Sequence, residues 1–208
     1  MDLCIILLIL IFILAMFFRS FERRKPRPRD IVPIAVMAAI GALGRILFAA
    51  IPSFKPTSAI VIITGIQFGP LAGFLTGALS ALASNMFLGQ GPWTPWQMIA
   101  WGLIGFFAGI FQKRKWFQHR IVLYVFGMLS GILFGWLMNL WYIVGYVNPI
   151  TWQTVLAAYA ASAVMDVTHG AATVIFLLLL EKSWGKKLHR IKVKYGILSS
   201  EGEDASCM

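Results

Sequence analysis

Three side chains able to carry charge or move protons stand inside otherwise apolar stretches of this sequence: Arg45, Asp166 and His169. Placing an Arg or Asp near the centre of a bilayer costs roughly 2.5 to 3.5 kcal/mol on insertion scales, so each must face a protein interior or a wet cavity. Asp166 and His169 are three residues apart and share one helix face, where a carboxylate can hydrogen-bond an imidazole. Such a pair admits two roles, a functional one toward ligand or protons and a structural one as a buried polar clasp between helices. Arg45 lies six residues from the outer end of its apolar run and Asp166 about fourteen from the outer end of its own. At 1.5 Å per residue they differ in depth by roughly 10 to 12 Å, so a direct ion pair requires offset helix ends or an arginine that reaches down.

A second set of residues is aromatic and amide-bearing. The eight residues Gln90 to Gln97, Q-G-P-W-T-P-W-Q, hold two Pro, two Trp and two Gln between apolar runs. Indole rings favour the membrane interface because the ring is apolar while the N–H needs a polar partner. Asn85, Gln97 and Asn139 fall in the outer third of their helices, level with Arg45. With Gln90, Trp93, Trp96, Trp141 and Tyr142 they are expected to line an aromatic cavity that opens outward, the mix of apolar walls and a few placed polar groups that small-molecule sites use. Each of them taken singly also fits an interfacial anchor or a helix–helix hydrogen bond. No phosphate-binding G-x-x-x-x-G-K-[ST] loop, H-E-x-x-H or G-x-S-x-G is present, so the motifs point neither to ATP hydrolysis by this chain nor to an enzyme. A metal site needs more ligands at helical spacing, and no cofactor is expected.

The elements that hold these residues follow from composition. The chain is 59% hydrophobic and 12% charged, the balance of a polytopic helical membrane protein. Its net charge of +10 is concentrated in the segments Arg19–Arg29, Lys113–Arg120 and Lys182–Lys194, each bordering an apolar run. That is the positive-inside pattern, and it argues against nucleic acid as a partner. Cys4 and Cys207, at opposite ends, form no disulfide framework.

Leu3–Phe18 is apolar and is followed, not preceded, by basic residues, so it reads as a retained helix with its start outside and not as a signal peptide. Pro26, Pro28 and Pro33 separate it from the next span. Further spans are expected at Ile34–Ile51, at Ser58–Leu88 as two short passes turning near Gly69-Pro70, and at Trp96–Phe111, Ile121–Gly145 and Gln153–Leu180. A single pass through Ser58–Leu88 would put Lys113–Arg120 outside, against the charge rule. The fold expected is therefore all-α: six helices with both ends inside, plus one extra N-terminal transmembrane helix. Residues 1–30 form that helix and a basic linker, 31–181 the six-helix domain, and 182–208 a basic then acidic cytoplasmic tail. Gly65, Gly69, Gly73 and Gly77, Gly105 and Gly109, and Gly127, Gly131 and Gly135 recur every four residues, ridges along which helix backbones approach closely.

Ala35-x-x-x-Ala39 on the first of six short spans, then I-P-S-F-K-P-T-S-A-I, F-G-P-L-A-G-F-L-T-G-A-L-S-A-L and G-Q-G-P-W-T-P-W-Q-M, together resemble the substrate-binding S components of energy-coupling factor (ECF) transporters. The resemblance runs from about Ile31 to Leu180. It implies a six-helix subunit of a bacterial cell membrane that binds a vitamin from outside. It also implies work with a transmembrane T component and two ATPase subunits, and toppling in the membrane to release substrate. By the same resemblance Ala35 and Ala39 face the T component, the outer loops cap the substrate, and the C-terminus is cytoplasmic. The G-P-W-T-P-W-Q-M loop looks most like S components assigned to cobalamin or its corrinoid precursors, with a riboflavin-type substrate as the alternative. The competing class is an ion-coupled secondary transporter with Arg45, Asp166 and His169 as a proton relay.

Overall fold

The computed structural model describes residues 3–198; the expected acidic tail and Cys207 lie outside them. The described chain is all-helical, with α1 (Leu3–Glu22), α2 (Pro28–Leu47), α3 (Thr57–Phe68), α4 (Pro70–Leu88), α5 (Thr94–Phe111), α6 (Arg120–Tyr146) and α7 (Trp152–Tyr195). A short 3₁₀ turn, Lys115–Gln118, precedes α6. Six of these helices are long and apolar enough to cross a membrane, and α3 is the exception. Its 12 residues reach about 18 Å at 1.5 Å per residue, short of a hydrocarbon core of about 30 Å. The first of the two expected short passes is thus a central buried segment. Ala59 to Ile63 of α3 are each at most 2% exposed, so the sequence there is apolar on every side and not along one stripe.

Gly69 has φ +92, a left-handed value that disfavours side-chain-bearing residues, and Pro70 follows at the first position of α4. The chain reverses there, and α3 and α4 pack together with α5 as the centre of the bundle. Glycine makes the three backbones meet. A Cβ on Gly73 would fall 2.6 Å from the Gly105 carbonyl carbon and 2.8 Å from the Gly65 Cα. On Gly109 it would fall 2.6 Å from the Pro70 Cα, and on Gly131 2.7 Å from the His169 carbonyl carbon. The ridges are internal packing surfaces, with no atoms to spare between helices. Of the two alanine pairs on α2, Ala38 and Ala42 are buried while Ala35 and Ala39 face outward.

The contact between Gly109 and Pro70 puts the α3–α4 turn beside the end of α5, next to the basic segment Lys113–Arg120. Phe21 of α1 packs with Phe68, Leu71 and Leu75 and with Ile197 beyond α7. All three basic segments therefore gather at one end of the bundle, opposite the Gln90–Pro95 loop. Asp30 fastens that end: one carboxylate oxygen accepts the Arg27 N–H at 2.9 Å and the other the Leu198 N–H at 2.7 Å. α2 begins at Pro28, so Pro28 and Pro33 lie within it and the break from α1 falls at residues 23–27. A proline at the first helical position removes only an N–H that has no partner there anyway. α7 runs unbroken for 44 residues to Tyr195 and stops at Gly196, whose φ of +55 is a left-handed C-cap. The boundaries expected after residues 30 and 181 fall inside α2 and α7.

Extra α1 lies on α4 and α5, with Phe17 stacked on Phe74 at 3.7 Å and edge-on to Phe106. The helix expected to precede the six is thus packed against their core.

Gly105→Val tests the glycine crossing, because its Cβ would meet the Gly73 backbone and the Val61 side chain. It is expected to cost about 3 kcal/mol in thermal unfolding of the detergent-purified chain. Gly145→Ala, with nothing within 4 Å of the new Cβ, should stay within about 0.5 kcal/mol of the parent. Equal midpoints for the two variants would refute the assignment.

Candidate functional site

α2 ends in a buried cation. Arg45, 8% exposed in the last turn of α2, points its guanidinium at α4. Its Nη1 donates to Ser84 Oγ at 2.7 Å and to Asn85 Oδ1. That fixes the Asn85 amide, since a guanidinium offers only donors and the oxygen must turn toward it. The amide nitrogen then donates to Thr94 Oγ1 at 2.9 Å and Gln97 Oε1 at 2.8 Å on α5. The Thr94 hydroxyl donates to Gln90 Oε1 at 2.9 Å and accepts the Gly91 N–H at 3.3 Å. Asn85, fully buried, is therefore the junction through which a cation on α2 is tied to the tryptophan loop.

The guanidinium also sits 5.1 Å from the ring centre of Trp101, a cation–π contact that supplies negative charge density without a carboxylate. Trp101 donates its indole N–H to Ser58 Oγ at 3.0 Å, and Ser58 lies 2.9 Å from His169 Nε2. The His169 ring stands edge-on to Phe134 at 4.8 Å, and Phe134 lies against Trp101 at 4.4 Å. Residues of α2, α3, α5, α6 and α7 thus converge around one guanidinium.

Asp166 belongs elsewhere. It is 6% exposed and accepts from Ser162 Oγ at 2.9 Å, while Asn139 Nδ2 donates to the same hydroxyl at 2.6 Å. The carboxylate rests over Gly135, where a Cβ would strike it. These contacts tie α6 to α7. The expected Asp166–His169 pair is not made: on α7 the aspartate turns to α6 and the histidine to α3. Arg45 likewise hydrogen-bonds to Ser84 and Asn85 and not to Asp166, so no hydrogen-bonded relay links the three among the described residues.

Around the loop, the Trp93 and Trp141 rings meet edge-on at 5.8 Å, and Trp141 meets Tyr146 at 5.3 Å. Trp96 packs against the core, Tyr142 is exposed and stacks on Tyr146, and Gln90 sits at the exposed rim, holding the Leu82 carbonyl at 3.2 Å. Arg45 Nε, Trp96 Nε1 and Trp141 Nε1 are buried donors without a partner among the described residues. Buried orphan donors call for an explanation such as a ligand acceptor. Lys55, half-buried in the α2–α3 connection, has its pKa lowered by burial and then by the Arg45 charge. Two cations therefore stand close together near the loop end.

Of the polar groups expected to line an outward-opening cavity, Asn85, Gln90 and Gln97 are joined to one another through Thr94 and direct hydrogen bonds. Two cavities of about 580 Å³ each lie elsewhere, and no residue of the predicted site lines either. No group of three or more potential metal ligands occurs among the described residues. Ser58, Ser84, Thr94 and Trp101 were not among the expected site residues. Ser84 is adjacent to Asn85 and Thr94 sits inside the loop, but a hydroxyl in an apolar helix carries no signal of whether it turns to its own carbonyls or to a neighbour.

A polytopic helical bundle with a buried polar junction beneath an aromatic loop is the architecture of a multi-pass membrane protein. The chain belongs to a known family of this class: the model described as "ECF-type riboflavin transporter, S component" matches residues 26–184. It is thus a substrate-binding subunit of a transporter for a vitamin, and a multi-pass membrane protein. The sequence is also 28% identical over 135 residues to UPF0397 proteins of Aliivibrio salmonicida and Vibrio atlanticus, covering 62% of this chain and 72% of each relative. A UPF0397 protein of Aliivibrio fischeri is 28% identical over 120 residues, half of this chain and 65% of the relative. No solved structure matches it.

Asn85→Leu removes the acceptor from Arg45 and the donor from Thr94 and Gln97 together. A loss of about 3 kcal/mol is expected, read as thermal stability in detergent. Gln90→Ala breaks a rim contact and should cost less than about 1 kcal/mol. If Asn85→Leu is as stable as the parent, the junction does not hold the loop.

Proposed function

We propose that this chain binds its vitamin beneath the tryptophan loop, with Arg45, Asn85 and Gln97 as the polar floor and Trp93, Trp96 and Trp141 as the aromatic lid. The observation that carries this is the buried Arg45, held by neutral groups with its Nε unfilled. A ligand acceptor supplies what the protein leaves open, and loop residues that now bond to Asn85 are the ones a ligand would displace. The site then favours a ring-bearing vitamin rich in hydrogen-bond acceptors and disfavours a cation, since Arg45 and Lys55 would repel it.

Two substrates satisfy that description. The lead is cobalamin or a corrinoid precursor, on the character of the G-P-W-T-P-W-Q-M loop and the room three indoles give a large ring. The second reading is riboflavin, which stacks equally well and is named in the description of the matched family. His169, facing Trp101 through Ser58, belongs to the wall of this site, whereas Asn139 and Asp166 act behind it by holding α6 to α7.

In this reading the three basic segments lie in the cytoplasm with the C-terminus, by the positive-inside rule, and the loop opens outside. The outward-facing Ala35 and Ala39 offer a small-residue face to the T component, and separate ATPase subunits supply the energy.

The test is mass spectrometry of small molecules retained by the purified chain, then titration with cobalamin, cobinamide and riboflavin. One vitamin per chain is expected. Trp96→Ala should weaken its binding about tenfold or more in a protein that still inserts and folds, at a lower unfolding midpoint because the indole packs against the core. Ala35→Leu should leave binding intact and reduce co-purification with the partner subunits. A Trp96→Ala protein that binds as the parent does would remove the lid from the site.

A further inference from the structure

At the basic end of the bundle, α3, the α5–α6 connection and α7 enclose a cavity of about 580 Å³ that the function above does not use. Its lining divides by chemistry. Ile63, Ile66, Phe117 and Leu123 are apolar, Arg120, Lys182, Lys186 and His189 are basic or titratable, and Gln67, Gln112 and Gln118 are neutral amides. Glu181 is the one carboxylate among the lining residues. No side-chain hydrogen bond or ion pair among the described residues engages Arg120, Lys182 or Lys186, and all three are exposed along the lining.

Depth identifies the layer in which the cavity lies. Arg120 is the first residue of α6, a 27-residue apolar helix, and Lys182 follows the apolar run of α7 that ends at Leu180. Both cations therefore stand at the boundary between hydrocarbon and water, the level of phospholipid phosphates. α6 also begins there without an acidic residue in its first turn and without a side-chain cap, which leaves its first N–H groups and the positive end of its dipole toward the same layer.

We propose that this cavity binds the headgroup phosphate of an anionic phospholipid, between Arg120, Lys182 and Lys186, with the first acyl carbons against Ile63, Ile66, Phe117 and Leu123. A free phosphate would use the basic residues alone. The apolar residues in the same lining, at the depth where headgroup meets chain, are what select the lipid. The bound lipid joins α3 to α6 and α7 at a place where glycine packing does not.

The full-length chain, stripped of lipid in a non-ionic detergent, is the material for the test. Its unfolding midpoint is measured with added phosphatidylglycerol or cardiolipin, with phosphatidylcholine, and with inorganic phosphate. The anionic lipids are expected to raise the midpoint, and the other two to leave it unchanged. The triple variant R120Q/K182Q/K186Q should need about tenfold more anionic lipid for the same shift or lose it altogether, while R23Q/R24Q, exposed and outside the cavity, should keep it. An equal shift with phosphatidylcholine, or a full shift in the triple variant, overturns the headgroup site. An equal shift with inorganic phosphate makes it a site for free anions and overturns the lipid assignment. If the triple variant does not fold, native mass spectrometry of the parent decides: preferential retention of one anionic lipid supports the site, and no preference over phosphatidylcholine refutes it. None of these outcomes depends on which vitamin is bound at the opposite end.

Discussion

Arg45 is charged, buried, and held without a carboxylate. A cation in the low-dielectric centre of a bundle needs either an opposite charge or enough oriented dipoles to replace its water. Here the dipoles come from Ser84, Asn85 and the face of Trp101, which sit on two different helices, and Asn85 passes the constraint to the loop through Thr94 and Gln97. The positions of α2, α4, α5 and the Gln90–Pro95 loop are therefore coupled through one guanidinium. A displacement of any of them by an ångström or so would leave a charge or an amide unsatisfied.

Such a junction is possible only because the helices around it approach so closely. Gly65, Gly73, Gly77 and Gly105 bring α3, α4 and α5 into backbone contact, and that contact sets the height at which Ser58, Ser84 and Trp101 face one another. Short α3 contributes to this in a way a full-length span would not. Ten of its 12 residues are buried, so it acts as a core against which the longer, lipid-facing α6 and α7 lean. The second junction, Asn139–Ser162–Asp166, ties those two helices to each other and leaves His169 free to turn inward to Ser58.

The amount of this that the sequence disclosed differs between fold and site, for a physical reason. Apolar runs and their breaks report helices directly, so the expected Trp96–Phe111 and Ile121–Gly145 lie within a residue or two of α5 and α6. The turn at Gly69-Pro70 followed from charge parity. α7 runs past its expected end because no proline stands between Leu180 and Gly196 and the single Gly185 only weakens a helix; the polar residues there end the apolar character and not the helix. Placing Asn85 and Gln97 level with Arg45 was legible from depth alone, whereas Asn139, expected at the same level, bonds to Ser162 instead. Helix rotation was not. Asp166 and His169 share a face at i and i+3, yet the gap between α3 and α6 is narrow enough for three residues to separate one neighbour from the other. Trp101 reads in the sequence as one more apolar residue of α5, and only its height opposite Arg45 makes it part of the site.

The closed form of the junction bears on how a ligand would enter. Gln97 and Thr94 hold Asn85 while Gln90 holds Thr94, so in the proposed site a ligand reaching Arg45 would have to exchange these bonds for its own. Each exchange is nearly neutral if the ligand offers an equivalent acceptor and unfavourable if it does not. Selectivity then lies in the exchange: a solute that is merely apolar could lie on the tryptophans but would leave Asn85, Thr94 and Gln97 broken beneath it. In the proposed site the apparent affinity would be reduced by whatever fraction of time the loop is shut. The same bonds that reduce it keep Arg45 from standing empty and solvated when no substrate is present. A cation that stabilises the closed loop through Asn85 and still carries an unfilled Nε can serve both states, with neutral partners exchanged for the ligand's acceptors and no buried ion pair to be broken in between.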